Sequence, residues 1–195
     1  MGKFFTFVRE HKFIAVALTI AITITIGLVV ITHQTKKGSS TPTPTKLGGG
    51  PSFKSIIPGI STEDEANEQL GGAKAQKQEG SKKILEYKST SPIRQHQLTV
   101  EETRVVFVKE IVSANDNKKA QDLKQEYGEP PYTLFNQSSY NSSFSLFVYP
   151  EKGFAYLGHE DGTLLEIWYF PPTIIDELLK QWSQNYSFEM PPQAE

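Results

Sequence analysis

The segment F-S-L-F-V-Y-P-E-K-G-F-A-Y-L-G-H-E-D-G-T-L-L-E-I-W-Y-F, residues 144–170, says more about the fold than any other part of the chain. It contains three apolar runs of strand length, at 144–149, 154–158 and 163–170. The runs are separated by P-E-K-G and H-E-D-G, which are sequences typical of tight turns. Strands joined by such short turns pair antiparallel. The segment therefore predicts an antiparallel meander.

Two related segments precede regions with strand character. T-E-D-E-A-N-E-Q-L-G-G-A at 62–73 resembles K-A-Q-D-L-K-Q-E-Y-G-E-P at 119–130, with Gly71 and Gly128 in corresponding positions. Each predicts a short amphipathic helix that ends at glycine, a residue suited to the backbone conformation after a helix. Further strands are predicted from the apolar pattern at 84–88, 95–100, 104–112 and 132–136.

The predicted fold class is therefore α+β, with a globular domain at 53–188. We expect two helix-plus-antiparallel-sheet repeats, at about 57–113 and 115–170, because each related segment is followed by strands. A C-terminal helix is predicted at 173–182, after two prolines and with acidic residues early in the segment. A short tail, 189–195, ends the chain.

The N-terminal region predicts a membrane anchor. Residues 13–31 carry no charge, and as a helix they would span about 28 Å, close to the thickness of the hydrocarbon core. The run is longer than the apolar part of a cleaved signal peptide, and no A-x-A-like site follows it. We predict a short tail at 1–12, an uncleaved transmembrane helix at 13–31 and a flexible linker at 32–52, rich in Gly, Ser, Thr and Pro.

This organisation predicts a single-pass protein of the cell membrane. Lysine and arginine residues are balanced on the two sides of the apolar run, so the positive-inside rule does not fix the orientation. The short N-terminal tail favours retention inside, with the globular domain extracytoplasmic.

Composition excludes several classes of function. The 195-residue chain has a formal net charge of −2, without the basic excess of a nucleic-acid-binding protein. It contains no cysteine, which excludes thiol catalysis, thiolate metal sites and a lipidated N-terminal cysteine. We expect no cofactor and no metal.

The segment I-P-G-I-S-T-E-D-E-A-N-E-Q-L-G-G, residues 57–72, resembles the opening of SmpA/OmlA-type domains. The tandem arrangement is similar to that of the beta-lactamase inhibitor protein family, and K-Q-E-Y-G-E-P at 124–130 matches in the second half. The resemblance implies a non-enzymatic protein whose sheet presents a face to another protein, as an inhibitor or an envelope-assembly factor. SmpA/OmlA proteins are anchored through a cysteine and the inhibitor is secreted, so the partner does not carry over.

Catalytic motifs are not recognisable in the globular region. Its histidines, His96 and His159, lie far apart in sequence, and His159 begins an H-E-D-G segment that reads as a turn rather than a metal site. A membrane-tethered hydrolase is the main alternative function, and it would require two carboxylates to meet in a cleft. The available carboxylates are Glu101, Glu102, Glu160, Asp161 and Glu166.

Aromatic residues suggest a binding surface. Alternation in the strands places apolar side chains on both faces of the predicted sheet. Either both faces are covered, or part of the aromatic surface is open and binds a partner. The candidate binding residues are Tyr149, Tyr156, Trp168 and Phe170. The sequence thus predicts a non-catalytic, membrane-anchored protein-binding or envelope-assembly module, with a hydrolase or a structural subunit of a membrane complex as alternatives.

Overall fold

The computed structural model describes residues 50–138 and 143–191. In these ranges the chain forms three α-helices, α1 (Glu63–Leu70), α2 (Ala120–Tyr127) and α3 (Ile175–Gln181), and two single-turn 3-10 helices, Ala114–Asp116 and Pro150–Lys152. The strands of the same ranges are β1 (Ala75–Glu79), β2 (Lys82–Tyr87), β3 (His96–Glu101), β4 (Arg104–Ile111), β5 (Tyr132–Asn136), β6 (Phe144–Tyr149), β7 (Phe154–His159), β8 (Leu164–Tyr169) and β9 (Tyr186–Ser187).

All nine of these strands belong to one antiparallel sheet, in the order β1-β2-β3-β4-β8-β7-β6-β5-β9. The predicted fold class, α+β with two helix-plus-antiparallel-sheet repeats, is therefore wrong. The described residues are mostly sheet, and strands β4 and β8 join what were expected to be separate units, with Val108 opposite Tyr169 and Glu110 opposite Ile167. Both strands have apolar residues on both faces, so their burial favours the centre of one larger sheet.

No helix within residues 50–138 or 143–191 has the length and hydropathy needed to cross a membrane. The predicted transmembrane segment 13–31 lies outside the described residues, as do the tail at 1–12 and the linker up to residue 49.

Local sequence accounts for the first helix. Thr62 caps α1 by accepting a hydrogen bond from the Glu65 backbone N–H at 3.2 Å, and the Glu65 carboxylate accepts one from the Thr62 N–H at 2.8 Å. This reciprocal cap satisfies backbone donors that the helix itself cannot pair. Glu63 and Asp64 place negative charge at the positive end of the helix dipole. The helix ends at Gly71.

Each face of the sheet has its own core. On one face α1 and α2 pack over residues that include Tyr87, Leu98, Val108, Tyr156 and Ile167. On the other face α3 packs over a second cluster, whose buried residues are Phe107, Leu134, Leu146, Val148, Ala155, Trp168, Phe170 and Leu178. This second cluster takes residues from β4 to β8 and none from β1, β2 or β3.

Candidate functional site

The structure buries all four aromatic residues that the sequence suggested for binding. Tyr149 is 2% exposed, Tyr156 0%, Trp168 4% and Phe170 2%. Tyr149 and Tyr156 belong to the core under α1 and α2, whereas Trp168 and Phe170 belong to the core under α3. They lie on opposite faces of the sheet, and the expected open aromatic patch is not present among them.

The buried tyrosines have a packing role that explains their positions. The ring of Tyr149 stacks on Phe154 with a centroid distance of 4.5 Å, and its hydroxyl donates a 2.6 Å hydrogen bond to the Gly128 carbonyl at the end of α2. Burial raises the pKa of Tyr149 and of Tyr156. These contacts fix α2 on the sheet, so alanine substitutions at these positions would remove core packing.

The carboxylates considered for hydrolysis are distributed over both ends of β4. Glu101 is paired with Arg104, at one end of β4, and Glu166 is paired with Ile111 at the other end. The two end residues of β4 are seven positions apart, roughly 23 Å at strand spacing. Glu102 follows Glu101 in the β3–β4 turn, and Glu160 and Asp161 lie in the β7–β8 turn. The five carboxylates do not converge on one cleft.

Hydrogen bonds within the β7–β8 turn fix the position of its acidic residue Asp161. The Asp161 carboxylate accepts a 2.8 Å hydrogen bond from the Thr163 backbone N–H, and this interaction, with Thr163 and His159 side-chain contributions, lowers the pKa of Asp161 to about 2. Within the described residues, no group of three or more histidine, aspartate and glutamate side chains is placed to hold a metal ion.

A polar groove of about 300 Å³ lies on the α3-side face of the sheet, across β2, β3, β4 and β8. Strand register explains the position of this groove. Glu86 on β2 lies opposite Gln97 on β3, which lies opposite Lys109 on β4, which in turn lies opposite Trp168 on β8. Side chains in direct register share one face and interact across the strands. The polar groove is lined by Glu86, Ile93, Arg94, Gln95, Gln97, Lys109, Ile111 and Glu166.

Glu166 is the buried charge of the polar groove. It is 6% exposed and accepts hydrogen bonds from Arg94 and, at 2.6 Å, from the indole N–H of Trp168. The Lys109 ammonium lies 3.9 Å from the same carboxylate and 5.3 Å from the Trp168 ring centroid. Burying a carboxylate is costly unless cations and donors compensate it. Here Arg94, Lys109 and Trp168 supply that compensation.

Arg94 belongs to the β2–β3 loop, residues 88–95, which is held by its own side chains. The Ser89 hydroxyl donates to the Arg94 carbonyl, and the Ser91 hydroxyl accepts from the Arg94 backbone N–H at 3.1 Å. The Thr90 hydroxyl donates to Asp116 at 2.7 Å. Side-chain bonds of this kind define the backbone conformation of a loop that has no regular structure.

Asp116 fastens this loop to the segment after β4. Burial opposes ionisation of Asp116, but hydrogen bonds from Ser113 and Thr90 outweigh it and lower the pKa below its usual value. The Ser113 backbone N–H donates to Asp116 at 2.8 Å, and the Ser113 hydroxyl lies 2.8 Å from that of Thr90. The β2–β3 loop is thus fixed at Thr90 and again at Arg94.

Ile93 lies at the tip of this ordered loop. It is 87% exposed, more than any other large hydrophobic residue in the described ranges. Scattered apolar residues on a surface are ordinary. Ile93 differs in that it stands between a hydrogen-bonded loop and a polar groove, and covering such a side chain is worth roughly 1.5–3 kcal/mol. We call Ile93 and the polar groove together the Ile93 site.

Sequence reasoning missed Ile93, Arg94 and Lys109. A signal was present, because Lys109 and Glu110 interrupt the apolar run V-V-F-V-K-E-I-V, and Glu166 interrupts T-L-L-E-I-W-Y-F. Charges inside central strands must find partners when the strand is buried. The pattern could therefore have indicated a polar centre in the sheet. It could not have identified Arg94 as the partner of Glu166.

Glu110, which also interrupts an apolar run, lies on the face of the sheet opposite to that of Glu166. Its carboxylate accepts from the Tyr169 hydroxyl at 2.7 Å and from the Lys118 ammonium at 2.5 Å. Nearby His96 is buried, and its Nδ1 accepts a 3.0 Å hydrogen bond from the Ile111 backbone N–H. Burial lowers the pKa of His96. Glu110 and Glu166 are therefore on different faces and cannot act on one substrate.

In comparisons with known proteins, no family model, no curated protein and no solved structure matches this chain.

Proposed function

We propose that this chain is a non-catalytic protein-binding module that docks its partner at the Ile93 site. The observation that carries the proposal is the position of Ile93, which is 87% exposed on a loop tied to the sheet through Arg94 and Glu166. A side chain presented in this way loses little freedom on binding, and lower ordering cost favours association.

The composition of the site suggests the kind of partner. Protein interfaces place an apolar anchor at the centre and polar groups around it. Ile93 supplies the anchor, and Glu86, Gln97 and Lys109 supply the polar surroundings on β2, β3 and β4. The partner accordingly offers an apolar pocket for Ile93, bordered by groups that hydrogen-bond to this polar row.

The proposed setting comes from the sequence alone. Residues 13–31 are apolar enough for attachment to a membrane, and the linker at 32–52 would let the domain reach a partner away from the bilayer. We place the globular domain on the extracytoplasmic side. The resemblance to SmpA/OmlA-type domains is consistent with an envelope role.

The test compares two isoleucine substitutions in the full-length chain. Ile93→Asp introduces a charge at the proposed anchor, whereas Ile174→Asp changes an isoleucine that is 62% exposed at the start of α3. Aspartate is a favourable residue before a helix, so the control variant should remain folded. Each variant is crosslinked in native membranes, and the amount of each captured protein is compared with that captured by the unchanged chain.

The proposal requires Ile93→Asp to lose one specific partner, with about a tenfold or greater reduction in capture, while Ile174→Asp retains it. Urea unfolding of both variants establishes that they are folded. If the two variants capture the same proteins in the same amounts, Ile93 is not the anchor and the proposal is overturned.

A further inference from the structure

The edge strand β1 forms a second candidate surface, separate from the Ile93 site. All five residues of β1, Ala75–Glu79, are exposed, and β1 is the first strand in the sheet order. One long side of β1 pairs with β2, and no described strand pairs with the other side. An unpaired strand edge offers backbone donors and acceptors to another chain.

The hairpin geometry shows which backbone groups are available. Glu79 pairs with Lys82 across the two-residue turn Gly80–Ser81, which makes them the hydrogen-bonded pair that closes the hairpin. Alternation then directs the backbone groups of Lys77 and Glu79 toward β2. The backbone groups of Gln76 and Gln78 point away from the sheet and can pair with another strand.

Charge on β1 limits which strand can pair there. Lys77 and Glu79 lie on the same face of the strand, with the lysine ammonium 2.6 Å from the carboxylate. A lysine on an edge opposes pairing with most strands. It favours a strand that places a carboxylate directly opposite, because opposite charges in register are stabilising.

We propose that β1 pairs antiparallel with β1 of a second copy of this chain, about a two-fold axis at Gln78. In this register Lys77 of each copy faces Glu79 of the other, and the two Gln78 residues form a hydrogen-bonded pair. The same contact occurs twice, as two-fold symmetry requires. Shifting the axis to Lys77 would instead place two lysines directly opposite each other, which is unfavourable.

The pairing involves few residues and polar side chains, so the dimer is weak in dilute solution. Its ion pairs are exposed, and added salt should weaken it further. Attachment of both copies to one membrane would raise their effective concentration and favour the pair. The inference does not depend on the Ile93 site.

Single-cysteine variants of the full-length chain test the register, since the natural sequence has no cysteine. In the proposed dimer the two residue-78 Cα atoms lie about 5.5 Å apart, within the range of a disulfide. Gln76→Cys is the matched control, because it lies two residues away with its side chain on the same face as that of Gln78. Its symmetry mate would be on the order of 14 Å distant, too far to bridge.

Under mild oxidation, Gln78→Cys should form a disulfide-linked dimer at least about tenfold faster than Gln76→Cys. The readout is the dimer band on a non-reducing gel, followed over a concentration series. Equal linking rates for the two variants overturn the proposal. Equally slow linking means that the β1 strands do not pair, and equally fast linking means that they meet without a fixed register. Faster linking of Gln76→Cys also overturns it, by moving the axis.

Charge reversal provides an independent test in the Gln78→Cys background. Lys77→Glu and Glu79→Lys should each slow linking to the Gln76→Cys level, since each places like charges opposite each other. Mixing the two variants should restore linking, because the glutamate introduced at position 77 of one copy then faces the lysine introduced at position 79 of the other. Failure of the mixture to link would show that the Lys77–Glu79 pairs do not hold the two copies together.

Discussion

Arg94 in the β2–β3 loop and Glu166 in β8 form an ion pair although 72 residues separate them in the chain. The pair connects a loop of the first predicted unit to a central strand of the second. Its two side chains differ in environment, because 39% of the Arg94 side chain is exposed and only 8% of the Glu166 side chain. Arg94 thereby compensates a buried charge and fixes the position of Ile93.

Removing Arg94 should destabilise the domain. Arg94→Met leaves the Glu166 carboxylate with Lys109 at 3.9 Å and the Trp168 indole as its partners. We expect the free energy of unfolding to fall by about 1–2 kcal/mol, less than for a fully buried pair, because Arg94 is partly solvated. Urea unfolding measures the change. Lys88→Met in the same loop should change it by less than about 0.5 kcal/mol, and equal effects would contradict this role for Arg94.

Stability should decrease as the pH falls below the range in which histidine is neutral. The pKa of His96 is lowered from 6.5, chiefly by burial, while Glu110 and Asp116 oppose the shift and Lys54 and Lys118 add to it. Below about pH 6.5 the unfolded chain therefore binds a proton that the folded chain does not, and acid favours unfolding.

The corresponding experiment follows the thermal midpoint from about pH 7.5 to about pH 5.5. His96→Gln should flatten this dependence, because it removes the titrating group. A profile that is as steep in His96→Gln as in the unchanged chain would assign the effect to other groups.

Tyr149 and Tyr156, two of the buried tyrosines on the α1/α2 side, should respond differently to loss of their hydroxyl groups. Tyr149→Phe removes the 2.6 Å hydrogen bond to Gly128 and should cost about 1 kcal/mol. Among the described residues, the buried Tyr156 hydroxyl interacts only with the Tyr149 hydroxyl and lacks a hydrogen bond of ordinary geometry, so Tyr156→Phe should cost less than Tyr149→Phe. Chemical denaturation of both variants tests the difference, and the reverse order of stabilities would refute it.

Gly153, between β6 and β7, should tolerate no side chain. Its φ of +76° is left-handed, and an added Cβ would lie 2.5 Å from the Phe170 carbonyl oxygen. Gly80 also has a positive φ, +59°, but nothing lies within 4 Å of an added Cβ. We expect Gly80→Ala to cost about 1 kcal/mol and Gly153→Ala at least about 3 kcal/mol. Similar thermal midpoints for the two variants would argue against a steric contribution at Gly153.

Local sequence predicted the strands well where alternation and turn signals coincide. The strands Tyr132–Asn136 and Phe144–Tyr149 have the predicted bounds, and the one predicted at 163–170 is observed at Leu164–Tyr169. β1 was missed, because A-Q-K-Q-E is exposed on both faces and shows no alternation of polar and apolar residues. Its pairing depends on the hairpin that it makes with β2.

Long-range pairing was the part that the sequence could not supply. Turn residues identify hairpins, whereas no local signal states that β4 lies beside β8. The lack of long-range information in the sequence also explains why buried aromatic residues were chosen as candidate binding residues. Trp168 and Phe170 were candidates because both faces of the sheet looked apolar, but only the packing of α3 shows that their face is covered. Ile93 has no periodic context, so exposure alone could identify it.

The short strand β9 has a consequence for assembly. It pairs with the end of β5, and Pro130 and Pro131 precede β5 without backbone donors, so this side of the sheet is protected. A sheet with two free sides can recruit further copies without limit and grow into a fibre. Within the described residues, pairing through β1 leaves β9 and the adjoining part of β5 at the opposite edge of the sheet, and a two-residue strand beside two prolines is a poor template for a third copy. We therefore expect the proposed β1 pairing to stop at two copies, even where many are crowded together.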